Sequence, residues 1–571
     1  MPAAPPAEPA PRGGAPVAAP VTRELTPSEQ ARMVQALAAS LAAPSAEPGG
    51  APPRHIETHI SHVLLHGGHA WKFKKAIATS FLDQSTLARR RHACAEELRL
   101  NRRLAPELYL DVVEVRGTPG EPWFAGESDA ADDRSFVLDV AVRMRAFDEA
   151  GLWDRLAARG ELGAADVDDL AARLARFHAD AAVAPDDAAS PLGTPALARQ
   201  ALLASLDDLQ ALAGAAGWPD AAALAGLDRL RAWEARAWVH AAPAMARRRA
   251  DGRVRECHGD LHLGNVAREQ GHCLVFDGIE FNDTFRWIDV IDEVAFMTMD
   301  LLAHGLPALA HRFANAWLEA SGDYDGLAVF GYYLVHRALV RAKVAQLRAE
   351  QGAKREDSTG GATDDSPDTR AAALDTARRY FALAEQLTAP RPRAFLVTHG
   401  VSGSGKTTLT QDLVEAAGAV RVRADVERKR LAGLAPLQSS RSLPGAGLYT
   451  AAMNAATQER LLAAAADVVR AGWPVIVDAT FIRREARDAA RRVAAQLGVP
   501  FIVLRFAAPP ELLRERVRTR AARGDDASEA DEAVLADQLR VLEPIEADES
   551  GEVFDVRPAM DWAPLLARLG N

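Results

Sequence analysis

The stretch Gly400-Val-Ser-Gly-Ser-Gly-Lys-Thr407 follows directly on the apolar run Phe395-Leu-Val-Thr-His399 and leads into residues that favour helix. A strand, a glycine-rich turn and a helix in that order leave the chain few folds to choose from. The glycines let successive backbone N–H groups turn inward on an anion, and the helix N-terminus adds partial positive charge. Lys406 is placed to reach the β- and γ-phosphates of a nucleotide, and Thr407 to ligate Mg²⁺. Gly400, Ser402, Gly403, Ser404, Gly405 and Thr408 complete the expected contacts to ATP or GTP.

Three further segments suggest what such a nucleotide is used for. A second strand, Ala419 to Arg423, ends at Asp425-Val-Glu-Arg428, and strand ends are where doubly wound sheets place their chemistry. Asp425 can accept the proton of a substrate hydroxyl or cap a helix, while Arg428, one helical turn on, can hold the acceptor or its phosphate. A third strand, Pro474 to Asp478, ends in a carboxylate that can bind Mg²⁺ through water or orient the acceptor. After a fourth strand, Arg516, Arg520 and Arg523 share one side of a helix that precedes the acidic loop Gly524 to Ser528. That position suits a lid whose arginines neutralise charge developing during phosphoryl transfer.

Residues 394 to 571 thereby resemble the P-loop kinases of the polynucleotide kinase, zeta toxin, chloramphenicol phosphotransferase and gluconate kinase group. In that group an Asp-x-x-Arg after the second strand carries the acceptor-side base and an arginine clamp, which implies these roles for Asp425 and Arg428. Lid arginines four apart correspond to Arg516 and Arg520. The resemblance implies phosphorylation of a hydroxyl without saying whose.

Upstream, His258-Gly-Asp260-Leu-His-Leu-Gly-Asn265 precedes the apolar run Cys273 to Phe276 and then Asp277-Gly-Ile-Glu280. An aspartate, an asparagine five residues later and a second aspartate after a strand supply one base and two oxygen ligands for Mg²⁺ on ATP. His258 would brace the loop. This part, about residues 54 to 390, looks like the aminoglycoside phosphotransferase and choline kinase branch of the protein-kinase-like fold. The resemblance makes Asp260 the catalytic base and Asn265 and Asp277 the magnesium ligands. Glu280, Asp289 and Asp292 lie nearby and would stabilise the loop or meet a cationic substrate.

A hairpin from His59 to Leu65 turns at Gly67-Gly68 into Ala70-Trp-Lys72-Phe-Lys74-Lys75, with Lys72 and Lys74 on one strand face. One of them should hold the α- and β-phosphates, paired with Glu96 or Glu97 on the next helix. Lys74 with Glu97 is the preferred pair, because Glu97 shares a face with Ala93, Leu100 and Leu104. The strand from Phe136 to Val142, ending in Arg143-Met144, would be the hinge that meets adenine through its backbone. One departure stands out: no G-x-G-x-x-G precedes the lysine strand, where the turn is Glu57-Thr-His-Ile60. The phosphate cover is therefore reduced or built differently.

The expected fold is multidomain, an α+β protein-kinase-like part of small lobe and helical large lobe followed by an α/β P-loop domain with a parallel sheet. At 571 residues the chain exceeds one hydrophobic core. Residues 1 to 53 hold 12 of the 33 prolines and read as a disordered arm, interrupted by a helix over 27 to 43 that opens on Thr26-Pro-Ser-Glu29. Gln351 to Thr369 reads as a flexible insertion, and Pro390-Arg-Pro392 as the end of the first domain, with the P-loop domain over 393 to 571.

A net charge of −11 offers no basic footprint for a membrane surface and counts against nucleic acid. Three scattered cysteines, no secretion signal and no long apolar run point to a reducing cytoplasm. The expected activity is a bifunctional Mg²⁺-ATP-dependent phosphotransferase acting on small hydroxylated metabolites. The alternatives are a regulatory pair in which one module binds without transfer, and a nucleic-acid end kinase.

Overall fold

The computed structural model describes residues 24–42, 52–79, 82–125, 136–185, 190–213, 218–356, 367–440, 447–523 and 526–569. Most of the expected arm, the centre of the expected insertion and the start of the acidic loop at Gly524 lie outside them. The chain divides into two compact units, Met1–Phe147 with Glu280–Asn282, and Asp148–Ile279 with Asp283–Asn571. The boundary expected near Pro392 falls inside the second unit, and we propose it as a change of architecture along that unit.

In the first unit, helix α1 (Pro27–Leu41) starts where Thr26 and Glu29 cap one another: the Glu29 N–H donates to Thr26 Oγ1 at 3.3 Å and the Thr26 N–H to Glu29 Oε2 at 3.0 Å. Six antiparallel strands follow: β1 (Arg54–Glu57), β2 (Ser61–His66), β3 (His69–Lys74), β4 (Tyr109–Thr118), β5 (Glu121–Phe124) and β6 (Val137–Arg145). They are ordered β1-β2-β3-β6-β4-β5, and α2 (Leu87–Asn101) joins β3 to β4. Alternation along β3 divides its labour. Trp71 and Phe73 enter a core with Met33, Val34 and Leu37 of α1, while Lys72 and Lys74 face Glu97 of α2.

One polar residue sits in the apolar face of α1. Gln30 donates to the Lys74 carbonyl at 2.7 Å and to Asp139 Oδ2 at 2.5 Å, and accepts the Ala76 N–H at 2.8 Å. It satisfies backbone groups at the end of the lysine strand that would otherwise be buried unpaired.

The second unit opens with helices α3 (Trp153–Ala158), α4 (Ala164–Asp180), α5 (Pro195–Ala211) and α6 (Ala221–Ala250). Short strands β7 (Val254–Glu256), β8 (Val266–Glu269) and β9 (His272–Val275) frame the loop that carries Asp260, and β10, three residues from Trp287 after the turn α7 (Asp283–Arg286), pairs with β7. Then come α8 (Val290–Ala303), α9 (Pro307–Ser321), α10 (Leu327–Glu356) and α11 (Pro367–Leu387). Helix α10 enters the start, and helix α11 the end, of the segment expected as a flexible insertion over 351 to 369. The helix formers Ala353-Lys-Arg-Glu356 carry α10 past Gly352, and Pro367 opens α11 at the position where proline is preferred.

The remainder is an α/β layer built on a parallel sheet ordered β12-β13-β11-β14-β15. Its strands are β11 (Phe395–His399), β12 (Val420–Arg423), β13 (Val475–Asp478), β14 (Phe501–Phe506) and β15 (Val553–Val556). Helices α12 (Lys406–Ala417), α13 (Ala424–Leu431), α14 (Ala451–Arg470), α15 (Arg484–Leu497), α16 (Pro510–Arg523) and α17 (Glu532–Arg540) connect them, and α18 (Ala563–Leu569) ends the fold. Strand β11 is central, and the chain leaves it first toward β12 and later toward β14. The phosphate loop thus sits at the switch point of the sheet.

Replacing Gln30 by Ala should cost about 1–3 kcal/mol, the penalty for stranding buried polar partners. Urea unfolding read on the first unit checks this, and a loss below about 0.5 kcal/mol would show that α1 is not held to the sheet by these bonds.

Candidate active site

The phosphate loop is shaped by positions that only glycine fills. Gly403 has φ +81°, and a Cβ there would lie 2.8 Å from the Leu513 carbonyl oxygen of α16. Gly405, at φ +90°, turns the chain into α12. Lys406 Nζ donates to the Val401 carbonyl at 2.9 Å, so the ammonium folds over the loop. Thr407 Oγ1 donates to Asp478 Oδ2 at 2.6 Å, which sets two oxygen ligands suited to a hard divalent cation side by side. Ser404 Oγ is buried with no hydrogen-bond partner among the described residues. These features fit a nucleotide phosphate with its Mg²⁺.

The loop opens onto a cleft of about 1000 Å³ that also takes in Asp425, Arg428, Tyr449, Arg516 and Arg520. Asp425, in the first turn of α13, pairs with Arg428 at 2.8 Å. Burial alone would raise its pKa, but Arg428, the Ser528 hydroxyl, Arg423 and Arg520 together hold the carboxyl below its ordinary value. Arg428 also lies over the Tyr449 ring, 5.4 Å from its centroid. From α16, Arg516 reaches the Gly403 carbonyl at 3.3 Å and Arg520 the Ala530 carbonyl at 2.9 Å. Arg523 and Thr408 line the same cleft. For Lys406, burial outweighs Asp478 and Asp425 and lowers its pKa.

Three contributors went unnoticed in the sequence. Gln538 of α17 accepts the Ser402 N–H at 2.7 Å, and an amide on a half-exposed helix carries no signal of that role. Arg421 and Arg423 did leave one. Arginines alternating with valines in a strand of a parallel sheet are anomalous, since such strands are buried on both faces. Arg421 donates to the Thr407 carbonyl at 2.7 Å, and Arg423 lies 3.2 Å from Asp526.

The loop carrying Asp260 is held from α8. Both the His258 and Gly259 N–H groups donate to Glu293 Oε1, at 2.7 and 2.8 Å. Glu293 Oε2 lies 2.8 Å from His178 Nε2, and His178 Nδ1 accepts the Trp317 indole N–H at 3.2 Å. His258 Nε2 lies 2.8 Å from the Phe276 carbonyl, so it braces the loop against the segment before Asp277. Asn265 donates to Asp260, at 2.9 Å to the carbonyl and 3.1 Å to Oδ2. Burial would raise the pKa of Asp260, but His262, Arg341 and His258 hold it well below the carboxylate range. Asp277 adopts φ +63°, a region non-glycine residues seldom occupy. Two nearby acids are committed elsewhere: Asp292 forms a two-pronged pair with Arg337 at 2.7 and 2.8 Å, and Asp289 another with Arg248 at 2.7 and 2.8 Å. Both carboxylates are buried and hydrogen-bonded to arginine.

In the first unit, Lys74 is fully buried, 2.6 Å from Glu97 Oε2 and in contact with Glu280. Burial lowers its pKa, yet Glu280 and Glu97 outweigh that and raise it. Lys72 reaches the other oxygen of Glu97 at 2.8 Å, whereas Glu96 pairs with Arg99 at 2.8 Å. Met144 lies one residue from the end of β6, three residues before the first unit reaches Phe147, and is flanked by Ala70 of β3 and Tyr109 of β4. The structure reads β1 and β2 where the glycine-rich cover was missing, joined by a turn closed by the Thr58 N–H to the Ser61 carbonyl at 2.9 Å.

Residues 395–545 match a family described as "AAA domain". Uncharacterized proteins of Mycobacterium tuberculosis and Mycobacterium bovis are each 29% identical over 484 residues, which is 84% of this chain and 89% of theirs. Among solved structures, a gluconokinase from Sinorhizobium meliloti is 23% identical, covers 31% of this chain and 90% of its own, and has a TM-score of 0.21. A choline/ethanolamine kinase family protein from Mesorhizobium loti is 12% identical, covers 62% of this chain and 99% of its own, and has a TM-score of 0.33.

Gly403→Ala should strain the loop by about 1–3 kcal/mol and weaken nucleotide binding about tenfold or more. Titration with a fluorescent ATP analogue measures it; affinity within about twofold of wild type would show that the loop tolerates a Cβ there.

Proposed function

We propose that the chain is an Mg²⁺-ATP-dependent phosphotransferase whose P-loop half phosphorylates a hydroxyl of a small molecule. The observation that carries this reading is the single cleft in which Lys406, the Thr407–Asp478 pair, the Asp425–Arg428 pair and the lid arginines Arg516 and Arg520 converge. ATP supplies the phosphoryl group, and Mg²⁺ offsets charge on its phosphates. The loop amides and Lys406 hold the β- and γ-phosphates, and Thr407 and Asp478 provide the metal ligands. Asp425 takes the proton from the acceptor hydroxyl while Arg428 steadies the acceptor. Arg516 and Arg520 stabilise charge that builds on the transferring group. ATP, a small hydroxylated acceptor and a reducing cytoplasm remain part of this proposal.

The role of the kinase-like half is proposed separately for each unit. In the second unit, Asp260 is the candidate base, with Asn265 and Asp277 as candidate magnesium ligands. In the first unit, Lys74 and Glu97 are the candidate phosphate-binding pair. A second reading, in which this half binds ligand without transfer, draws on one observation: Lys74 already faces two carboxylates, Glu97 and Glu280. A lysine so neutralised has less charge to offer a phosphate.

Transfer of label from γ-labelled ATP to a metabolite library, with short oligonucleotides as a further acceptor, separates these readings. Lys406→Ala should reduce transfer at least about 10³-fold, the scale expected for losing a main transition-state contact. Transfer undiminished in that variant would overturn the proposal. Asp260→Ala should abolish transfer to a second acceptor class; if every labelled product survives it, the kinase-like half binds without transferring. Label on oligonucleotides alone would favour an end kinase.

The pH dependence has a defined sign. Asp425 is held below its ordinary value, so the base is already ionised across the neutral range. Asp425 should therefore add no acid limb to kcat/KM near neutral pH, and a limb near about pH 6 that ionisation of the ATP phosphates does not account for would place the base elsewhere.

A further inference from the structure

Helix α9 belongs to the helical lobe, yet one of its faces is committed to the P-loop half. His311, Arg312, Asn315 and Glu319 fall on that face. His311 Nδ1 lies 2.9 Å from the Glu415 carbonyl, and Arg312 pairs with the Glu415 carboxylate at 2.8 Å. Asn315 accepts the Arg421 N–H at 2.7 Å, which fixes the edge strand β12 directly to the helix. Close approach is allowed by a glycine at the end of each partner helix. A Cβ on Gly418 would lie 3.0 Å from His311 Nε2, and one on Gly322 would lie 2.6 Å from Arg430 Nε.

Glu319 is the member of this face that reaches toward chemistry. Its Oε1 lies 2.9 Å from Arg423 NH1. The same guanidinium lies 3.2 Å from Asp526, in the segment after the lid helix, and its Nε is 4.0 Å from Asp478 Oδ2. Arg423 is thus shared among three carboxylates, and Asp478 is the one it approaches least closely. Asp478 is also the most deeply buried of the three, with 4% of its side chain exposed against 18% for Glu319 and 29% for Asp526. Coulomb attraction grows as water is excluded, so without a competitor the guanidinium would gain most by closing on Asp478. A carboxylate bound tightly to arginine is a poorer metal ligand, because the metal must displace the cation first.

We propose that Glu319 is a positioning residue for the P-loop site: by holding Arg423 it keeps that guanidinium off Asp478 and leaves the carboxylate to Mg²⁺. The proposal rests on the reading of the P-loop cleft as a Mg²⁺-nucleotide site, and makes the kinase-like half a contributor to that site. The charge of Glu319, rather than its bulk, is the effective element. Burial lowers the pKa of Arg423, and Glu319, Asp478 and Asp526 reverse this, so the guanidinium stays charged throughout.

The test uses the full chain and reads binding rather than turnover. Mg²⁺ is titrated at fixed fluorescent ATP analogue in wild type, E319Q and the E319Q/R423Q double variant, and the analogue is also titrated in EDTA. E319Q should raise half-saturating Mg²⁺ about tenfold, equivalent to about 1.4 kcal/mol, and leave metal-free affinity within about twofold. The double variant should return half-saturating Mg²⁺ to within about twofold of wild type, because the competing cation is gone. A wild-type value in E319Q, or a shift that persists in the double variant, overturns the proposal. An equal loss with and without Mg²⁺ also overturns it, since that marks general loosening of the cleft. Where E319Q does not fold, R423Q alone should leave half-saturating Mg²⁺ at or below the wild-type value, because no guanidinium remains to compete for Asp478; a rise in it overturns the proposal. If wild type binds no nucleotide at any Mg²⁺ concentration, the cleft reading itself fails and takes this proposal with it. If wild type shows the Mg²⁺ dependence and E319Q shares it, only the role of Glu319 falls.

Discussion

A charge taken out of water must be met by another charge or by several hydrogen bonds, and the interior of this chain is arranged around that requirement. Arg248 is fully buried between Asp289 and Asp323, each within 2.8 Å. Arg487 is fully buried against Glu549 at 2.8 and 2.9 Å. Arg90 joins α2 to Asp139 of β6, and Lys74 sits against Glu97 and Glu280. Each of these groups ties together segments far apart in sequence. Removing one partner would leave an uncompensated buried charge at about 3–5 kcal/mol, so each pairing selects one arrangement of its elements over the alternatives.

The same rule distinguishes the acids locked onto arginine from the two proposed bases. Asp292 and Asp289 are each gripped by both prongs of one guanidinium, which leaves them little capacity to accept a proton or a metal. Asp260 and Asp425 are treated differently. Both carboxyls are held below their ordinary pKa by the basic groups around them, and Asp425 meets Arg428 through one oxygen only. Such an acid is kept charged by its surroundings while part of its coordination sphere stays open. A general base needs that combination.

Much of this was legible in the sequence where chemistry is carried by local pattern. The glycine loop is eight consecutive residues set between a strand and a helix, and the capping pair Thr26 and Glu29 marks the start of α1 within one turn. The fold class could also be read, because the parallel strands and the Lys74 strand declare themselves by apolar runs and by alternation. Contacts between distant segments could not. Nothing in α9 announces that Glu319 faces Arg423, and nothing in α17 that Gln538 takes the Ser402 amide. The neighbours of Met144 were hidden for the same reason, since both β3 and β4 extend alongside it and come from distant segments.

The segment joining the helical lobe to the P-loop half is itself packed down: Arg391 stacks on the Trp473 ring at 4.1 Å, and burial lowers its pKa to about 10. Trp473 in turn packs against Phe330 of α10, 5.7 Å between ring centroids. The chain order gives this contact a direction in time. All of α9 and α10 is synthesised before Phe395 leaves the ribosome, so the residues that receive the parallel sheet are available before the sheet is made. The helical lobe can then serve the later half as a template, receiving β12 along Asn315 while β13 and β14 are still being made.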